Sequence, residues 1–273
     1  MTPTIDCIIE TIDLLKPVSD VAAKVMALLN DPDCGMSDLA EIIRYEPALT
    51  ANVLKLANSA YFGLPGKISD AKQAIVYLGM TQVVDLVLLV TCSNRFSGSH
   101  HGYGLSKGDL WRSAVAGGVM AGDLAKIKGM KQGSLLFTSG LLRDIGKVVM
   151  DQHVQTAMDQ IQDRIATQAV TFIEAERLVL GFDHSEVGAM VAEKWHFPPM
   201  LQQVIRHHHT PLQSNGCFLE ASVVHLADLL CRKMGISRGF DDPTYPEDER
   251  VLQSLALNEA VIQQVMDGFS AKM

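Results

Sequence analysis

Five residues in the second half of the chain carry side chains that hold metal ions or move protons: Asp144, His184, His208, His209 and Asp228. Imidazole nitrogens and carboxylate oxygens suit divalent transition metals, and a metal so held acts as a Lewis acid and lowers the pKa of bound water. These donors lie far apart in the sequence, so spacing alone establishes no site. The adjacent pair His100 and His101 sits in a Gly/Ser stretch without converging partners, and solvent exposure is expected for both.

Around the first of these donors runs Gly140-Leu141-Leu142-Arg143-Asp144-Ile145-Gly146-Lys147, which organises the chain. Three charged groups are set into an apolar run, where charge is costly unless paired or used. Arg143, Asp144 and Lys147 are close enough in sequence to share one helical neighbourhood. A buried carboxylate needs a cation, and Arg143 and Lys147 are the cations nearest to Asp144 in the sequence.

The elements that must position these groups read as helices throughout. Val25, Met26 and Leu29 follow a possible cap at Ser19, Pro47 fits a first helical turn, and Ser69 is expected to cap the helix carrying Ile75 and Leu78. A strongly apolar helix begins near Thr81. After the Gly/Ser/His loop of residues 97–104, a small-residue helix (Ala114, Gly117, Gly118, Ala121) allows close approach of a neighbour. Thr171 opens a helix that Gly181 ends. Asp183-His184-Ser185-Glu186 matches a capping box, placing His184 in a first turn. A helix from Phe218 carries His225 and Asp228 on one face, and Asn258 caps the last helix. No hairpin turns or sustained alternation occur. The expected fold is all-α in two lobes, 1–104 and 105–273.

Composition excludes several classes. The 273 residues are 48% hydrophobic and 20% charged with a net charge of −8, and no long basic run would neutralise a nucleic-acid backbone. Five scattered cysteines form neither a disulfide framework nor a zinc ribbon, which fits a reducing cytoplasm. No secretory signal is evident, and the run from Val83 to Cys92, broken by Asp85, is too short to span a bilayer.

The central stretch resembles the "LLHDIGK" core of HD-superfamily metal phosphohydrolases, with Arg143 standing where that family has the His of its His-Asp pair. Nearly the whole chain resembles the HDOD family, a helical subclass found in bacterial signalling. The matching segments run in one order: Glu46-Pro47-Ala48-Leu49, Leu56-Ala57-Asn58-Ser59-Ala60, Ala74-Ile75-Val76-Tyr77-Leu78-Gly79, Leu110-Trp111-Arg112-Ser113, Gly140 to Lys147, Gly181 to Gly188, Glu193-Lys194-Trp195, His208-His209-Thr210-Pro211 and His225-Leu226-Ala227-Asp228. The resemblance implies an N-terminal helical lobe and an HD-like helical lobe.

Carried over residue by residue, the family's first ligand His falls on Ser113 and the His of the pair on Arg143. Asp144, His184, His208, His209 and Asp228 remain as the ligands a metal would have. A hydroxyl is a poor substitute for imidazole, and a guanidinium offers only donors and a fixed charge that repels a cation. No catalytic residue and no bound metal are therefore expected; Arg143 is expected to take the metal's electrostatic role instead, pairing with Asp144 or, across a helix interface, with Asp228. The resemblance with this loss implies a non-catalytic signalling or scaffold module that binds other signalling proteins, through the lobe boundary or the segment from Asn58 to Gly63. A phosphohydrolase with an altered one-metal site is the alternative. A further one is a sensor that binds a nucleotide through Arg143 and Lys147 without cleaving it.

Overall fold

The computed structural model describes residues 5–14, 24–25, 35–58, 67–236, 239–240 and 249–272. Among them the only β feature is an isolated bridge between His100 and Leu105; everything regular is helical, and the fold is all-α. Backbone contacts divide the chain into a larger unit, residues 1–15 and 95–267, and a smaller one, residues 16–94 and 268–273. The loop at 97–104 thus lies inside the larger unit.

In the smaller unit, α2 (Met36–Arg44), α3 (Pro47–Ala57) and α4 (Ala71–Leu78) pack on one another. Leu39, Ile43, Val53, Ala74 and Ile75 form their common buried face. Pro47 opens α3, where its missing N–H costs nothing. The cap of α4 is Asp70, not Ser69: its carboxylate accepts the Gln73 N–H at 2.8 Å, while Ser69 donates through its hydroxyl to the Gln73 side chain. Asn58 does more than end α3. Its amide donates to the Ile68 carbonyl at 2.8 Å and accepts the Ile68 N–H at 2.7 Å, clamping the chain that leads into α4. The expected cap Ser19 and the segment 59–63 lie outside the described residues. The unit also contains most of α5 (Met80–Phe96).

The larger unit is built from α1 (Ile5–Leu14), α6 (Asp109–Ile127), α7 (Gly133–Leu142), α8 (Ile145–Gln168), α9 (Phe172–Leu180), α10 (His184–Lys194), α11 (Pro199–His207), α12 (Phe218–Lys233), α13 (Glu249–Leu255) and most of α14 (Glu259–Lys272). A 3-10 turn at His101–Tyr103 precedes α6 and packs on α8. Small residues bring α6 and α7 together: a Cβ on Gly140 would lie 2.5 Å from the Gly117 carbonyl oxygen. Where α8 meets α10, a Cβ on Gly146 would collide with the backbone oxygen of His184. These two crossings set the spacing of the helices that carry the charged groups. Between them, Leu110, Met120, Leu124, Leu136 and Met150 fill the core.

Two expectations about this region need correction. Arg143 and Asp144 do not ride within one helix; they form the junction between α7 and α8, with Asp144 at φ −99°, ψ 14°. α8 then runs unbroken from Ile145 to Gln168, and its C-terminal part is polar. His100 is also buried, only 6% exposed, because the bridge to Leu105 folds the loop back on itself; His101 is exposed as expected.

Candidate functional site

The junction between α7 and α8 aims two opposite charges into the interior. Arg143 is fully buried, and each part of its guanidinium has a partner. Its Nε donates to Asp228 Oδ1 at 2.9 Å and lies 3.3 Å from Asp144 Oδ2. Nη1 donates to the carbonyls of Gly140 at 2.8 Å and Ser113 at 3.1 Å, and Nη2 donates to the Ser113 hydroxyl at 2.6 Å. Gly117, one turn beyond Ser113 on α6, leaves the space: a Cβ there would overlap Nη1. Burial opposes the charge, but Asp144 and Asp228 more than offset it and hold the guanidinium protonated.

Both carboxylates have a second cation. Lys147 Nζ lies 3.0 Å from Asp144 Oδ1, and Arg232 Nε donates to Asp228 Oδ2 at 3.1 Å. Against the cost of burial, Lys147 and Arg143 hold Asp144 well below the usual carboxylate range. Arg232 and Arg143 do the same for Asp228.

On the other side of Asp144 stand three imidazoles. Asp183 caps α10 by accepting the N–H groups of Ser185 and Glu186 at 2.7 and 2.9 Å, which fixes His184 in the first turn. His184 Nδ1 meets Glu176 Oε2 at 2.8 Å, and its Nε2 lies 2.8 Å from His209 Nε2 and 3.6 Å from Asp144 Oδ1. Burial disfavours a charged His184, yet Glu176 raises its pKa above the ordinary value. Burial drives the other two down, His208 to about 4 and His209 well below the usual range.

His208 therefore stays neutral, and its Nδ1, 2.7 Å from the Ile205 carbonyl, must carry the proton. The Nε2 lone pair is left buried without a hydrogen-bond partner. An imidazole fixed through Nδ1 by a backbone carbonyl is the arrangement that presents Nε2 to a metal.

Asp144, His184, His208 and His209 each offer a donor atom, all within 4.8 Å of one another. Donors around one tetrahedral ion stand about 3.5 Å apart, so these four residues fit one transition-metal ion in type and, with small adjustments, in distance. Asp228 is not among them, being held by Arg143 and Arg232. Ser113, Arg143 and Asp228 do not fit a metal: a guanidinium fills the space between the hydroxyl and the carboxylate. The candidate site residues thus fall into two halves that share Asp144.

Several participants escaped the sequence reading. Glu176 and Tyr103 form a buried hydrogen bond, the phenol donating at 2.6 Å, and the Tyr103 ring lies 5.5 Å from Lys147 Nζ and edge-on to His184. Neither residue has a local signal. Arg232 does, four residues after Asp228 on one helical face.

A family model, the HDOD domain, matches residues 15–211. The chain belongs to the HDOD family. Solved structures extend the likeness over the whole HDOD fold. An HDOD domain protein of unknown function from Geobacter sulfurreducens superimposes with TM-score 0.75 at 23% identity, over 97% of this chain and 88% of that one. A candidate signal transduction protein from Marinobacter aquaeolei VT8 gives TM-score 0.75 at 20% identity, over 98% and 62%. A candidate phosphohydrolase from Shewanella amazonensis SB2B gives 0.70 at 21%, over 98% of each chain. An uncharacterized protein of Treponema pallidum (strain Nichols) is 25% identical over 205 residues, 74% of this chain and 39% of its own length. This HDOD chain thus spans well under half of that relative. No described helix is long and apolar enough to cross a membrane.

Proposed function

We propose that this HDOD chain is a non-catalytic signalling or scaffold module that acts by binding other signalling proteins. The observation that carries this reading is Arg143. Four hydrogen bonds tie its guanidinium to protein acceptors through all three nitrogens, so it occupies the metal's electrostatic role between Ser113, Asp144 and Asp228. Charge balance supports the same reading. The buried carboxylates of Asp144 and Asp228 face the cations of Arg143, Lys147 and Arg232, and Glu176 pairs with His184, so a divalent ion would add charge that no unpaired carboxylate of this group offsets.

Access points the same way. None of Arg143, Asp144, Lys147, His184, His208, His209 and Asp228 is more than 6% exposed, which leaves a phosphate ester no surface on which to meet them. The same closure counts against a nucleotide held by Arg143 and Lys147.

The second reading, a phosphohydrolase with an altered one-metal site, is favoured by the convergence of Asp144 with three histidines. Two measurements separate the readings: elemental analysis of desalted protein grown with added metals, and hydrolysis of bis(p-nitrophenyl) phosphate with Mn²⁺, Ni²⁺ or Zn²⁺. The expected result is no turnover above background. Turnover that tracks stoichiometric metal and disappears in His208→Ala would establish the hydrolase instead.

A further inference from the structure

Within the larger unit, a groove runs between the C-terminal half of α8 and α9, which pack on each other. It encloses about 460 Å³ and is lined by Asp159, Gln160, Asp163 and Arg164 of α8 and by Leu178 and Val179 of α9. Leu178 is 56% exposed, and Val179 beside it is half-buried. On the outward face of α9, one turn after the exposed Glu174, a polar residue would serve the fold as well. A single exposed leucine is ordinary, but this one forms the apolar side of a concavity whose other wall carries unpaired charge.

That wall is α8. Asp159 and Asp163 lie one turn apart and are exposed, and neither forms an ion pair with a described residue; nor does Arg164. No basic residue stands in the last turn of α8, so the negative end of the helix dipole adds to the two carboxylates. Arg164 offsets one of them at most, on a chain whose net charge is −8. None of the polar lining residues is buried, which suits a chain segment laid across the groove better than an enclosed small molecule.

We infer, on the reading of this chain as a binding module, that the α8–α9 groove docks a basic amphipathic segment of a signalling partner. An apolar side chain of that segment packs on Leu178 and Val179. A lysine or arginine one helical turn away lies over Asp159 and Asp163.

The test is a random peptide library displayed on phage and panned against the full chain, with the enriched peptides then synthesised and titrated by fluorescence anisotropy. The expected peptides carry an apolar residue with lysine or arginine three or four positions away. Leu178→Gln should weaken their binding at least tenfold. The double variant Asp159→Asn, Asp163→Asn should weaken it too and flatten its dependence on salt. These positions are exposed, and unchanged urea midpoints check that the variants fold as the parent does. Panning that enriches nothing, peptides that bind Leu178→Gln as tightly as the parent, or enriched peptides that are acidic each overturn the inference. Sedimentation velocity tests a second copy as the occupant, and a parent dimer that Leu178→Gln dissociates overturns it as well. Metal content and phosphodiester hydrolysis test the module reading separately: turnover that tracks metal ends that reading, whereas a groove that binds no peptide ends only this surface.

Discussion

Replacing Arg143 by methionine removes a charge from a place water does not reach while keeping most of the stem's volume. Cutting one partner out of a buried ion pair costs about 3–5 kcal/mol, because the remaining charge is stranded. Here neither carboxylate is stranded completely: Asp144 keeps Lys147 at 3.0 Å and Asp228 keeps Arg232 at 3.1 Å. That places the electrostatic loss near the lower end. The Ser113 hydroxyl also loses the donor at 2.6 Å, which adds about 1 kcal/mol.

The expected cost is therefore about 4 kcal/mol. For a unit of this size, that lowers the melting temperature by about 10 °C. Urea unfolding and thermal melts followed by circular dichroism read it directly. Arg143→Lys should recover only part of the loss, since a point charge cannot reach Asp228, Ser113 and Gly140 together. A loss below about 1 kcal/mol for Arg143→Met, the scale of an exposed pair, would refute the claim that Arg143 is the site's structural cation.

Two further outcomes follow from the same geometry. Gly117→Ala should cost about 2–4 kcal/mol, although it is conservative on a helix, because its Cβ overlaps the guanidinium; combined with Arg143→Met, most of that cost should disappear in a double-mutant cycle of urea midpoints. Stability should also fall as the pH drops from about 6.5 toward 4. His208 and His209 have folded pKa values below their unfolded ones, so the unfolded chain binds more protons, at about 1.4 kcal/mol per pH unit for each. His184, raised by Glu176, does the reverse: its contribution is complete below its unfolded pKa and lost as the pH rises through the folded one. The depressed carboxylates Asp144 and Asp228 contribute fully above about pH 4 and lose that contribution only in stronger acid. Urea midpoints at pH 7.5, 5.5 and 4.5 check the sign, and flat stability across them would contradict the buried neutral histidines.

How much of this was readable beforehand depends on whether the determining interaction is local. The capping box at Asp183, the Thr171 cap with Gly181 behind it, Pro47 in a first turn and the small residues of α6 are local signals, and each helix that they mark is present. The break between α7 and α8 was not readable. Apolar residues flank Arg143-Asp144 on both sides, no proline stands there, and the nearby Gly140 and Gly146 lie within α7 and α8; the change of direction accompanies the bonding of Arg143 to α6 and α12. Asp144 and the histidines were identified through the order of family motifs, whereas Glu176, Tyr103 and Gly117 become visible only once the helices are packed. His100 was misjudged because composition describes a loop's average exposure, while one cross-loop bridge decides where a given ring points.

The pairing of Arg143 with Asp228 spans 85 positions, and it has a consequence for how the larger unit assembles. Neither charge can leave water alone without a heavy cost, so α6, the α7–α8 junction and α12 must close over the pair together. A metal centre reaches the same closure only when an ion arrives from solution, at a rate that depends on supply. Here the counter-ion is covalently attached and folds with the chain. The step that joins Arg143 to Asp228 is thus unimolecular and needs no ion from solution.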